Sequence, residues 1–221
     1  MDIAHLIQSI AIYALPVIFA ITVHEAAHGY AARHFGDDTA WMMGRVTLNP
    51  LKHIDPFGTI LLPLMLVLVA SPVIVGAAKP VPVRFDKLRN PKSDMIWVAL
   101  AGPAANLIMA LMWGILAVCL HAMGVTEVFF IGMCNAGFVV NIALFVFNLF
   151  PLPPLDGGRI LVGLLPYKQA VMFSRIEPYG FFIVIALIYF HVIDLLWMRP
   201  LSSITSEMLN FILSPLALLL Y

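Results

Sequence analysis

Over 221 residues, 62% of side chains are hydrophobic, 11% are charged, and the mean hydropathy is +0.98; soluble domains carry about 25% charged residues, so a water-soluble globular protein is excluded. Twelve basic and twelve acidic residues cancel, and the basic ones are dispersed along the chain, which leaves no nucleic-acid partner to consider. Cys119 and Cys134 lie in or beside apolar runs and read as small buried hydrophobes, so neither a disulfide framework nor a thiolate metal site is implied.

The first apolar run covers about residues 6–34. It follows Asp2, and no Lys or Arg precedes Arg33, so it lacks the basic leader of a secretory signal and is expected to stay in the mature chain. A hydrocarbon core about 30 Å thick takes about 20 helical residues to cross. Further runs of that kind lie at roughly 57–78, 95–122, 130–150, 179–198 and 204–220. Between the first two runs stands "GDDTAWMMGRVTLNPLKHIDPFG", and after the second comes "KPVPVRFDKLRNPKSD". Both are polar and contain prolines, and "GRVTL" and "PVPVRF" have the composition of short strands. The expected fold is an all-α polytopic membrane protein of about five to six membrane helices or half-helices, with short β-strand pieces after the first helix. Without a repeat, a low-complexity tract or a soluble insertion, residues 1–221 read as a single membrane-embedded domain.

Lys and Arg favour the cytoplasmic ends of membrane helices. Region 33–52 holds Arg33, Arg45 and Lys52, region 79–92 holds Lys79, Arg84, Lys87, Arg89 and Lys92, and region 151–175 holds Arg159, Lys168 and Arg175. The 121–130 connection has no basic residue. A full crossing by 57–78 would put the most basic loop outside, whereas entry and return on one side would leave all three basic regions in the cytoplasm. Pro63, Pro72 and Gly76 could supply the bends. The expectation is a re-entrant hairpin, with an ordinary span as the alternative.

Within the first run, "ITVHEAAHGYAARHFGD" places His24 and His28 four residues apart on one helix face, where both rings can address one metal ion. Glu25, on the adjacent flank, is placed to accept a proton from water without being a ligand. Each intramembrane charge costs about 3 kcal/mol unless it is paired or put to use, so a cluster here is more telling than the same motif in a soluble chain. Its structural alternative is a helix-end group that snorkels to the interface. Catalytic zinc takes three protein ligands, and the third candidate is Asp156 in "NLFPLPPLDGGRIL", beyond a proline-dense break. Asp156 could instead simply cap the helix that follows. Two crossings, 95–122 and 130–150, would return it to the side of His24 and His28 if 57–78 is a hairpin.

"HEAAH" on the first helix, "AGPAAN" at 101–106 and "NLFPLPPLDGG" at 148–158 together resemble the site-2 protease family of intramembrane zinc metalloproteases. "GRVTLNPLKHIDPFGT" with "AKPVPV" resembles the family's compact form without a PDZ domain. The resemblance covers about residues 20 to 165. It implies His24, His28 and Asp156 as ligands of one Zn2+ per chain and Glu25 as general base. It also implies Asn148 near the catalytic centre as an oxyanion or substrate contact, and Asn106 in a structural or substrate-orienting role. The expected catalytic core is about 6–165, followed by C-terminal helices at about 179–220. The expected partners are a membrane-protein or transmembrane-peptide substrate and the lipid bilayer. The expected place is a bacterial or archaeal cell membrane, multi-pass, with the active site toward the cytoplasm. The competing functional class is a non-catalytic membrane metal-binding or transport protein, which has no need of Glu25 beside His24. A protease using a later glutamate would have to use Glu127, Glu177 or Glu207, none of which carries a supporting motif.

Overall fold

The computed structural model describes residues 3–61, 65 and 79–220. Its seven main helices are α1 (Ile3–His34), α2 (Pro91–Ala122), α3 (Val128–Asn148), α4 (Asp156–Leu164), α5 (Tyr167–Ser174), α6 (Glu177–Tyr189) and α7 (Arg199–Leu220). Among the described residues, four segments are long and apolar enough to cross a membrane: Ile7–His34, Pro91–Ala122, Val128–Asn148 and Asp194–Leu220. α5 and α6, bent by 66°, make a fifth if the pair counts as one crossing. Large apolar side chains face outward along these helices, among them Ile7, Phe19, Ile108, Met112 and Phe211. This is a multi-pass helical membrane protein.

The helix ends follow from local chemistry. α1 stops at "HFGD", where Gly36 takes φ 111°, the Gly36 N–H donates to the Arg33 carbonyl at 3.1 Å, and the Asp37 N–H donates to the Ala32 carbonyl at 2.9 Å. These two bonds satisfy carbonyls that the helix leaves open, and the left-handed backbone between them favours glycine. α2 opens with Pro91 in its first turn, where a missing N–H costs nothing. The run expected at 179–198 divides: α6 closes at Tyr189, two residues before His191 takes φ 57°. The last span instead begins at Asp194, whose carboxylate pairs with Arg199 at 2.8 Å across the turn that leads into α7.

α2 is the central helix, packed against α1, α3, α4 and α7. Ala110, Ile142, Val146 and Leu209 form a core joining α2, α3 and α7, and the Trp197 indole N–H donates to the Val146 carbonyl at 2.8 Å. A second core of Ala32, Leu88 and Val98 joins the end of α1 to the start of α2. The Arg89 N–H donates to the Phe35 carbonyl at 3.0 Å, so α1 and α2 are antiparallel neighbours whose connection begins and ends at one end of the bundle. Within that connection the Lys79 N–H donates to the His53 carbonyl at 2.9 Å. The two flanks of the 57–78 run therefore meet, as a hairpin requires and a crossing of about 30 Å forbids. Most of the run itself, with Pro63, Pro72 and Gly76, lies outside the described residues.

The expected strand pieces are not found: no β-strand occurs among the described residues. Residues 46–48 form bends, and 79–84, which ends in an extended Arg84, belongs to no helix, turn or ladder. Pro80 and Pro82 remove two donors, and side chains take up the backbone groups that a partner strand would otherwise bind. Arg45 Nη2 donates to the Lys79 and Pro80 carbonyls at 3.0 and 3.3 Å. Glu25 Oε2 accepts the Val81 N–H at 2.8 Å, and Asp37 Oδ2 accepts the Arg84 N–H at 2.7 Å. Burial alone would raise the Asp37 carboxyl, but the donors from Thr39 and Arg84 outweigh it and hold the group below its ordinary value. Asp37 therefore stabilises the fold above the unfolded carboxylate value of about 3.9, and that contribution is lost as the pH falls through its lower folded value.

Single cysteines at Lys52 and Lys87, in a chain lacking Cys119 and Cys134, are expected to behave alike toward a membrane-impermeant thiol reagent in intact cells. Labelling of one position and protection of the other would show that the connection crosses the bilayer.

Candidate metal centre

His24 and His28 lie on one face of α1 with their rings edge to face, centroids 4.7 Å apart. Each ring is fixed through Nδ1. His24 Nδ1 donates to Asn106 Oδ1 at 2.6 Å, and the Asn106 amide is itself oriented because its Nδ2 donates to the Ala20 carbonyl at 3.2 Å and to Asn141 Oδ1 at 2.9 Å. His28 Nδ1 donates to the Val98 carbonyl at 2.8 Å. A side-chain amide oxygen and a backbone carbonyl can only accept, so both Nδ1 atoms carry protons, and in the neutral ring each Nε2 presents a lone pair.

Those lone pairs converge. The two Nε2 atoms are 3.1 Å apart, and Asp156 Oδ2 lies 3.2 Å from one and 3.3 Å from the other. Asp156 opens α4, with Leu155 in the cap position, and its Oδ2 is buried without a hydrogen-bond partner. It does not serve as the helix cap. Three acceptors facing one another in a low-dielectric site repel unless a cation lies between them. A tetrahedral zinc with bonds of about 2.0–2.1 Å spaces its ligand atoms about 3.3 Å apart, which matches all three separations. The three residues also form the one such His/Cys/Asp/Glu group found among the described residues.

The backbone is shaped to allow this approach. At Gly102 of "AGPAAN", an added Cβ would meet His28 Nε2 and come within 2.6 and 2.7 Å of His24 Cε1 and Nε2, so only a glycine lets α2 lie against the two rings. At Gly157 and Gly158, a Cβ would run into the backbone of Leu149 and Pro153, which is how the proline-rich turn, with its cis Pro153–Pro154 bond, folds against the start of α4.

A cavity of about 230 Å³ opens on the cluster, lined by His24, Glu25, His28, Val81, Asn148 and Arg159 among others. Glu25 is half-buried at this cavity and is held by the Val81 N–H, apart from the three converging atoms. Asn148 lines the cavity and uses its Nδ2 on the Leu144 carbonyl at 2.9 Å. Of the two roles the resemblance implies for Asn106, its placement fits the structural one. It is fully buried behind His24 and acts on the site through that ring. Sequence reasoning missed Asn141, also fully buried, whose Nδ2 donates to the Gly137 carbonyl at 2.8 Å while its Oδ1 orients Asn106. Its signal was an amide in the middle of the apolar run "FVVNIALFVF".

Two imidazoles and a carboxylate converging inside a bundle of membrane helices, with a second carboxylate on the residue after His24, define a membrane-embedded metallopeptidase. The chain belongs to Peptidase family M50, the site-2 protease family, whose model matches residues 12–133 and 121–191. It is 42% identical over 178 residues to the protein named "Putative zinc metalloprotease YwhC" of Bacillus subtilis, covering 78% of each chain. It is 32% identical over 180 residues to "Putative zinc metalloprotease Rip2" of Mycolicibacterium smegmatis, covering 77% of this chain and 64% of that one. The Rip2 protein of Mycobacterium tuberculosis strain Erdman is 30% identical over 168 residues, covering 72% of this chain and 62% of the relative. The chain thus spans less than two thirds of the length of these two mycobacterial relatives. No solved structure matches it.

Asn106→Leu keeps the volume but removes the acceptor that fixes the His24 ring. Metal affinity is expected to fall about 10- to 100-fold, read by competition with a chelator. Gly102→Ala pushes against both Nε2 atoms and is expected to lower metal content, read by elemental analysis of the purified variant.

Proposed function

We propose that His24, His28 and Asp156 hold one Zn2+ per chain and that Glu25 is the general base of an intramembrane endopeptidase. The observation that carries this reading is the convergence of the two Nε2 atoms and the buried Asp156 Oδ2 within 3.3 Å of one another. When bound, zinc supplies Lewis acidity, polarising a carbonyl and making water acidic near neutral pH. The chain's own residues supply the rest. His24 and His28 give nitrogen lone pairs because Asn106 and Val98 hold their protons on Nδ1. Glu25 keeps Oε2 on the Val81 N–H, leaving Oε1 to take a proton from water and pass it to the leaving amine as the C–N bond breaks. Asn148, on the cavity wall, is suited to contact the substrate carbonyl or the developing oxyanion.

The substrates would be transmembrane segments of other proteins, cleaved within or near the bilayer. A helix hides its carbonyls in i to i−4 bonds, so the peptide must be locally unwound before attack. Residues 6–165 and the helices of 179–220 would act as one domain, with α7 bracing α2 and α3 from behind. The site would face the cytoplasm, because the basic regions 33–52 and 79–92 belong to the connection at the end of the bundle shared by the end of α1 and the start of α2. Bacterial relatives favour the cell membrane of a bacterium or archaeon. A metal-binding or transport role is not favoured, since Glu25 stands beside the ligand set without belonging to it.

Purified protein is expected to contain about one zinc per chain by elemental analysis and to cleave members of a panel of single-span membrane peptides, with loss of cleavage on chelation. Glu25→Gln should keep the zinc and lose cleavage by several orders of magnitude, while Asp156→Ala should weaken both. An active Glu25→Gln, or a zinc-free wild type, would defeat the assignment.

A further inference from the structure

Arg45 is 92% shielded from solvent, at 8% exposed, yet among the described residues no carboxylate pairs with it. A guanidinium removed from water needs acceptors, and Arg45 finds them in the main chain: Nη2 donates to the carbonyls of Lys79 and Pro80. Its Nε is buried with no partner, so the fold retains a charge it satisfies only in part. That arrangement makes little sense as a stability device, because an apolar side chain would avoid the desolvation altogether. It makes sense if the two carbonyls have to be held where they are.

The residue after those carbonyls is Val81. Because Pro80 and Pro82 carry no N–H, Val81 provides the one backbone donor between Lys79 and Val83, and it is spent on Glu25 Oε2 at 2.8 Å. The prolines fix φ on both sides, so fixing the carbonyls of 79 and 80 also fixes the direction of the Val81 N–H. Packing reinforces the link. Val46, next to Arg45, shares a small buried core with Val81 and Ala40. Both valines lie against α1 at Gly29, where an added Cβ would come within 2.8 Å of Val46 Cγ2 and 3.3 Å of Val81 Cγ1. Gly29 follows His28 directly, so the glycine after "HEAAH" is the seat on which Val46 and Val81 bring Arg45 and the Val81 N–H up to Glu25.

We propose that Arg45 is a positioning residue for the reaction, acting through the Lys79 and Pro80 carbonyls and the Val81 N–H to aim the Glu25 carboxylate. The proposal rests on the reading of Glu25 as the base. Arg45 touches neither the metal-ligand cluster nor the cavity, so its effect falls on the proton-transfer step and not on zinc or on substrate binding.

The test uses the full-length purified protein and the single-span membrane peptide that it cleaves fastest. Arg45→Met is expected to retain one zinc per chain and a KM within about twofold of wild type while kcat falls about 10²-fold, the loss that a small misplacement of a catalytic group produces. Arg45→Lys, which can still donate to both carbonyls, should recover most of that loss. Val81→Pro, which deletes the N–H, should lower kcat to a similar extent, and combining it with Arg45→Met should add less than about twofold, because both act through one link. Wild-type kcat in Arg45→Met, loss of its zinc, or losses that multiply in the double variant would overturn the proposal. Should Arg45→Met not purify, Val81→Pro decides: an unchanged kcat overturns it, and a reduced kcat with zinc intact upholds it. An inactive Glu25→Gln beside a fully active Arg45→Met sinks the relay alone. A fully active Glu25→Gln sinks the base assignment and the relay with it.

Discussion

The structure turns on which nitrogen of each histidine carries the proton. Asn106 and the Val98 carbonyl take the Nδ1 protons of His24 and His28, and this leaves two lone pairs and the Asp156 carboxylate aimed at one point. Without that tautomer the rings could donate to Asp156, and the cluster would be an ordinary hydrogen-bonded triad with no affinity for a cation. With it, three acceptors are brought together in a site of low dielectric, an arrangement that a bound cation stabilises. The antiparallel packing of α1 on α2 serves the same end, because one helix carries the rings and the other carries both of their Nδ1 partners.

The polar groups form chains that run away from the site into the bundle. From His24 the hydrogen bonds pass to Asn106, to Asn141 and to the Gly137 carbonyl, linking α1, α2 and α3 through fully buried amides. In an apolar bundle such a chain holds position only if every member is satisfied, and here each Nδ2 finds an acceptor. On the other side of the site, Glu25, Asp37 and Arg45 hold the segment 79–84 in place of a partner strand. The His24, His28 and Asp156 face of the site and its Glu25 face are therefore fixed by different means, one by helix packing and amides, the other by side chains gripping a proline-rich backbone.

Much of this was legible in the sequence, and what was legible shares one property. Apolar runs announce their helices by length alone, and an ionisable residue inside one, such as His24, Glu25 or His28, is costly enough to stand out. Asp156 stood out because prolines and glycines around it rule out a continuous helix. The strands at "GRVTL" and "PVPVRF" were misjudged because composition reports what a segment tolerates and not what it pairs with. Pro80 and Pro82 had already removed the donors a ladder needs. For Asn106 the sequence leaves a structural and a substrate-orienting role open, because linear sequence does not show which side of a helix faces the cavity. Asn141 went unread because a single amide in an apolar run acquires meaning only when its partner, 35 residues away, is known.

The meeting of the hairpin ends constrains the chemistry as well as the topology. His53 and Lys79 are joined backbone to backbone, and the bond stands two residues from the Val81 N–H that holds Glu25. Lys79, Pro80 and Val81 therefore tie this junction to the Glu25 carboxylate, with Arg45 gripping the same two carbonyls. The converging cluster is held from elsewhere, by α2 and α4. A displacement of the junction would reach Glu25 before it reached the cluster, so the two carboxylates of the site, Glu25 and Asp156, answer to separate parts of the chain.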